Sequence, residues 1–226
     1  VLLKKIFSKL PNSLEGIKPV LLYPLFGIFI TGALMYGVII APIAALNSGV
    51  TNFLETLGTG NLILLGAVLA GMMAVDMGGP VNKSSFTFGI AMIAAGNYAP
   101  HAAVMAGGMV PPLGIALATT FFRNKFTKDE REAGKVCYIM GLSFITEGAI
   151  PFAASDPVKV IPASIIGAAI AGGLSMMFGV LLPAPHGGIF VFPVVTNPVM
   201  YLVSIVVGSL VTAFILGTWK KPVNEI

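Results

Sequence analysis

Charge is scarce in this 226-residue chain: 10% of its residues are charged, against 56% that are hydrophobic. A water-soluble domain needs about a quarter of its residues charged to cover its surface, so this composition excludes one and indicates a protein that crosses a bilayer several times. Cysteine is limited to Cys137, which excludes an internal disulfide and a thiolate metal cluster. With Lys135 as its only nearby activating cation, Cys137 reads as a packing residue. There are two histidines, no phosphate-cradling Walker loop and no dinucleotide fingerprint. Nothing therefore points to a bound metal, a nucleotide cofactor or a nucleic-acid partner.

Glycine and proline, by contrast, are plentiful at 27 and 16 residues, more than close helix packing needs. They predict an all-α polytopic membrane protein whose transmembrane helices are kinked, broken or re-entrant. Residues 1–18 set Leu2, Leu3, Ile6 and Leu10 against Lys4, Lys5 and Lys9, an amphipathic helix lying on the cytoplasmic membrane surface. Residues 19–226 form the membrane domain.

Within that domain, residues 21–45 are long enough for one crossing, and 47–60 read as an external loop. Residues 61–75 make a short span that stops at Asp76-Met77-Gly78-Gly79-Pro80-Val81-Asn82-Lys83, the mark of a broken helix. Residues 84–122 read as two segments around a break at 96–101, with a further interruption at Pro111-Pro112. Residues 123–135 carry five basic and three acidic residues and are expected as a solvated cytoplasmic loop by the positive-inside rule. Residues 162–182 then span outward, 183–197 turn or re-enter, and 198–219 span back to Lys220 and Lys221. Both chain ends are placed in the cytoplasm.

The stretch from Gly141 to Pro157 puts Glu147 and Asp156 into a region with almost no other charge. Residues 136–146 are too short to cross about 30 Å of hydrocarbon at about 1.5 Å per residue, and Gly148, Pro151 and Pro157 interrupt anything longer. A re-entrant hairpin with Glu147 at its tip uses that length, and such irregular backbone is tolerated where it lines a cavity. An ionisable side chain at that depth marks a substrate or ion site, unless a cation such as Lys83 or Lys159 holds it structurally.

Thr146 could donate or accept in the same cavity, and Asn82 is expected to face it. Asp76 and Lys83 are supporting charges, expected to neutralise each other across the break. His101 either binds a polar solute through its imidazole or bonds a carbonyl freed by Pro100. His186, in Pro185-His186-Gly187-Gly188, either approaches a ligand with its loop or sits in a turn at the outer interface.

Three motifs, Gly79-Pro80-Val81-Asn82-Lys83, Phe144-Ile145-Thr146-Glu147-Gly148-Ala149-Ile150-Pro151-Phe152 and Ala184-Pro185-His186-Gly187-Gly188-Ile189-Phe190, occur in this order. Together they resemble the membrane permease subunit, enzyme IIC, of the bacterial sugar phosphotransferase system, in its fructose branch. The resemblance runs from about residue 14 to residue 221. It implies a homodimer in the bacterial cytoplasmic (inner) membrane that takes up fructose or a related hexose with phosphorylation during transport. It also implies a sugar site around Glu147, with a histidine in contact, transferred here to His101 and less securely to His186.

Such permeases carry several more membrane helices ahead of the amphipathic segment, so the chain corresponds to the C-terminal portion of one. The phosphocysteine motif of the IIB domain is absent. The chain is therefore expected to supply no catalytic phosphoryl donor and to present its sugar to a phosphorylated IIB partner. The reading from a different class is an ion-coupled secondary transporter in which Glu147 or Asp76 carries the coupling ion.

Overall fold

The computed structural model describes residues 2–8, 11, 15–42, 44–45, 48–49, 52 and 61–223. Helices and no strands occur among the described residues, so the chain is an all-α membrane protein. It divides into two compact units, residues 1–50 and 51–226. The expected loop at 47–60 lies mostly outside the described residues.

In the first unit the amphipathic helix is shorter than the pattern over residues 1–18 predicts. Helix α1 covers Leu2–Phe7 only, and Phe7 packs on Tyr23 and Phe26 with ring centroids 6.0 and 5.3 Å apart. Lys18, expected at the end of that helix, instead begins the spanning helix α2, Lys18–Pro42, with its ammonium 3.1 Å from Glu15. The first turn of α2 is widened, Tyr23 N–H bonding Lys18 C=O, just ahead of Pro24. A wide turn there lets the proline ring avoid the carbonyl four residues back.

The second unit is built around the central helix α5, Ala99–Phe121, whose apolar stretch is 94% buried. Two more helices cross, α8 (Pro157–Met177) and α9 (Pro198–Trp219). The start of α5 and the loop after α8 meet at one end, where Leu182 N–H donates to Tyr98 C=O at 3.2 Å. At the opposite end, Lys125 donates to Lys220 C=O at 2.8 Å and Val223 N–H to Asn124 C=O at 2.9 Å. Thus α5 and α9 run parallel and α8 antiparallel to them. The outward side of α9 exposes Val199, Leu202, Val206, Leu210 and Phe214, an apolar face suited to lipid.

Contacts within this unit use small residues. A methyl group on Gly172 of α8 would collide with the backbone of Gly66, and one on Gly107 of α5 would lie 2.6 Å from the Ala70 Cα. Such close approach replaces the hydrophobic driving force that membrane helices lack.

Between the three crossings lie two helical hairpins of opposite direction. Helix α3, Leu62–Val75, is capped by Asn61 and starts beside Gly173 of α8. It descends to a break at residues 76–79, and α4, Pro80–Ala94, returns to the same end. From the other end α6, Lys128–Leu142, rises to a tip at residues 143–149, and the short α7, Ile150–Ser155, comes back beside Asp129 and Glu130.

Four expectations are corrected here. Residues 123–135 are not one loop, because Thr127 and Glu130 form a reciprocal capping box that starts α6 at Lys128. The break at 96–101 is confined to residues 95–98, so His101 is helical. Pro111 and Pro112 do not interrupt α5, although their missing N–H groups free the carbonyls of Gly107 and Gly108. The span expected to begin at 162 begins at Pro157 and holds Pro162 inside it.

Candidate functional site

The tips of the two hairpins meet. Thr146 begins a 3-10 turn, Thr146–Ala149, and its hydroxyl donates at 2.8 Å to Gly108 C=O, the carbonyl left without a helical donor by Pro112. The proline pair in α5 thus creates the acceptor on which the second hairpin docks. Gly108 lies nine residues after Ala99 and thirteen before Phe121, about 14 and 20 Å along the helix. The junction is therefore roughly midway along α5.

Glu147, next to Thr146, lies over the break of the first hairpin. A methyl group built on Gly78 would sit 2.7 Å from Glu147 Oε1, and Gly78 has φ +119°, which an L side chain rarely adopts. Lys83 Nζ stands 3.9 Å from the same oxygen, beyond hydrogen-bond reach. The alternative partner, Lys159, is taken by Asp156 at 2.8 Å.

Asp76 does not neutralise Lys83 as expected. Its two oxygens accept from the N–H groups of Val81 and Asn82 at 2.7 and 2.9 Å, capping α4 from across the break. A carboxylate satisfies orphan donors there and also suits the positive end of the helix. Asn82 follows as the next link, its side-chain amide donating to Met73 C=O at 2.8 Å.

Asn82, Lys83, Thr146, Glu147 and His186 are brought together around one cavity of about 230 Å³. That is below the range of about 300–1,000 Å³ usual for drug-sized ligands and fits a small polar solute. The Glu147 side chain is 48% exposed, because the cavity stays open beside the two tips. The loop after α8 reaches inward to this place. His186 stacks edge-on against Phe144 at 6.0 Å, with its Nδ1 2.8 Å from Gly187 O.

His101 is set apart from the cavity. It is fully buried, packs edge-on against Phe86 at 5.9 Å, and faces the backbone of Ala184 in the loop after α8. Phe86 itself lines the cavity, so His101 stands one ring behind the lining.

Met73, Phe86 and Phe144 complete the walls, and no sequence feature marked Met73 or Phe86. Phe144 carries the clearest signal, an aromatic residue two positions before Thr146 in a hairpin of few polar groups. It adopts φ +61°, a left-handed conformation that is costly for a bulky side chain and is held here by the surrounding packing.

No protein-family model matches the chain, and no solved structure does. Curated proteins do. Over 225 residues the chain is 67% identical to the "PTS system fructose-specific EIIABC component" of Bacillus subtilis (strain 168), covering all of this chain and 35% of that protein. It is also 67% identical to the "Fructose permease IIC component" of Bacillus amyloliquefaciens, of which it covers 74%. To the "PTS system fructose-specific EIIB'BC component" of Escherichia coli (strain K12) it is 48% identical over 217 residues, or 38% of that protein. The chain therefore spans between about a third and three quarters of these relatives. With such identity along its whole length and across most of a IIC component, the chain belongs to the fructose permease (enzyme IIC) family of the sugar phosphotransferase system.

Proposed function

We propose that this chain builds the sugar site of a fructose permease that phosphorylates its substrate as it takes it up. The observation that carries the reading is the meeting of two hairpins from opposite ends around a small polar cavity, with the Glu147 carboxylate at the junction. A carboxylate, an amide and an imidazole suit the hydroxyls of a neutral sugar, and Phe86 and Phe144 offer apolar walls for its ring faces. The relatives' names join B and C components, or A, B and C, in one protein. A phosphorylated B component is accordingly the proposed partner, working on a homodimer in the cytoplasmic membrane.

The ion-coupled alternative loses one of its two carboxylates, because Asp76 is engaged by two backbone amides. Uptake by cells or proteoliposomes decides between the classes. Fructose should accumulate as its phosphate, only when the phosphoryl donor is supplied, and an ionophore should leave the rate unchanged. Accumulation of free sugar that an ionophore abolishes overturns the proposal.

Orientation follows from charge. Arg123, Lys125, Lys128, Arg131, Lys135, Lys159, Lys220 and Lys221 all gather where α5 and α9 end and α8 begins. By the positive-inside rule we assign that end, with the C-terminus, to the cytoplasm, and the N-terminal lysines to the same side. A cysteine placed at Lys128 should react with impermeant reagents only after the cells are opened. Labelling in intact cells reverses the assignment.

A further inference from the structure

Lys83 is the one lysine or arginine among the described residues that line the cavity, and a neutral sugar does not call for it. Nor does Glu147 need it as a counter-ion. The two charges are 3.9 Å apart with side chains 61% and 48% exposed, a pair of the kind that contributes little. No hydrogen bond holds the ammonium group among the described residues, so its three donors face the cavity loosely on a flexible stem.

Among the described residues of the lining, the Asn82 amide and the Thr146 hydroxyl already donate to backbone carbonyls, so Lys83 is the fixed cation that an anion entering here would meet. The amides of Val81 and Asn82 at the start of α4, which would ordinarily bind one, are already filled by Asp76. The eight basic residues at the charged end of the unit are absent from the lining. An incoming phosphoryl group would also meet the like charge of Glu147, which a neighbouring cation offsets.

We propose that Lys83 recognises the phosphoryl group, stabilising its charge during transfer to the sugar and holding the sugar phosphate until release. The assignment rests on the sugar-phosphorylating reading above. In the step it describes, a sugar hydroxyl oxygen bonds to phosphorus and its proton passes to the Glu147 carboxylate. The bond from phosphorus to the phosphoprotein donor breaks, and its electron pair stays with the donor. Lys83 leaves Glu147 and donates to the phosphoryl oxygens, so no proton is gained or lost at the lysine. Sugar binding and phosphate recognition thereby fall to two neighbouring residues of opposite charge on the two hairpins.

The test is equilibrium binding of fructose, fructose 1-phosphate and fructose 6-phosphate to the intact protein in lipid nanodiscs, comparing wild type with Lys83→Gln and Lys83→Arg. Wild type should bind at least one of the phosphates. Lys83→Gln should lose roughly 10- to 150-fold in affinity for that phosphate while its fructose affinity stays within about threefold, and Lys83→Arg should restore phosphate binding. Turnover with the phosphorylated donor should fall in Lys83→Gln with the KM for fructose unchanged.

Lys83→Gln binding the phosphate as wild type does overturns the assignment, and so does an equal loss of fructose and phosphate, which would make Lys83 a sugar ligand or a scaffold residue. Wild type binding fructose but neither phosphate overturns the Lys83 role alone. Wild type binding none of the three overturns the sugar reading as well.

Discussion

Glu147→Gln is expected to weaken fructose binding by roughly ten- to several-hundredfold while costing less than about 1 kcal/mol of stability. Hydrogen bonds to a charged acceptor are worth about 1.5–3 kcal/mol each, and the carboxylate can accept from two sugar hydroxyls. Glutamine keeps the shape and one acceptor but offers a neutral oxygen. Stability should hold, since the contact with Lys83 is long and exposed, and Lys159 is already paired with Asp156. Sugar affinity and melting temperature measured on the same purified variant separate the two roles. Unchanged affinity together with a marked loss of stability would move Glu147 from the binding site into the scaffold.

Much of the architecture is written in local punctuation. Asn61 and the Asp76-to-Lys83 stretch bracket α3 because one caps its start and the other cannot continue a helix. Residues 198–219 form α9 as a charge-free run between Asn197 and Lys220. Gly148, Pro151 and Pro157 turn the second hairpin around, which puts Glu147 at its tip.

What remained hidden depends on partners far along the chain or on a choice between two local signals. Pro111 and Pro112 read as an interruption, yet one of the carbonyls they free finds Thr146 38 residues away, and no local pattern shows that bond. Asp76 had two prospects, the cation seven positions on or the amides five and six positions on. The amides win because they need a partner in any buried helix start, whereas Lys83 can remain solvated. In residues 123–135 the charge density suggested a loop, while the Thr127–Glu130 pair signalled a helix. The capping box prevails, because charges on one face of a helix end cost nothing when that face is wet.

Gly78→Ala should impair sugar binding nearly as much as Glu147→Gln, from the opposite hairpin. Two penalties meet at this residue. An alanine at φ +119° is strained by about 1–3 kcal/mol, and its methyl would lie 2.7 Å from Glu147 Oε1 and 3.1 Å from Cγ and Cδ. The carboxylate is the end of a flexible side chain in an open cavity, so Glu147 yields rather than the backbone. A displacement of about 1 Å is enough to cost on the order of a hundredfold where hydrogen bonds must align. Gly96→Ala is the control, for Gly96 also has a positive φ, +79°, but has nothing within 4 Å of an added methyl. Both variants should lose comparable stability, and only Gly78→Ala should lose sugar affinity. The double variant with Glu147→Gln tests the route: if Gly78 acts through Glu147, the combined loss should be far smaller than the sum of the two in free energy. Wild-type affinity in Gly78→Ala, or losses that add, would show that the tip of the first hairpin does not govern where the Glu147 carboxylate stands.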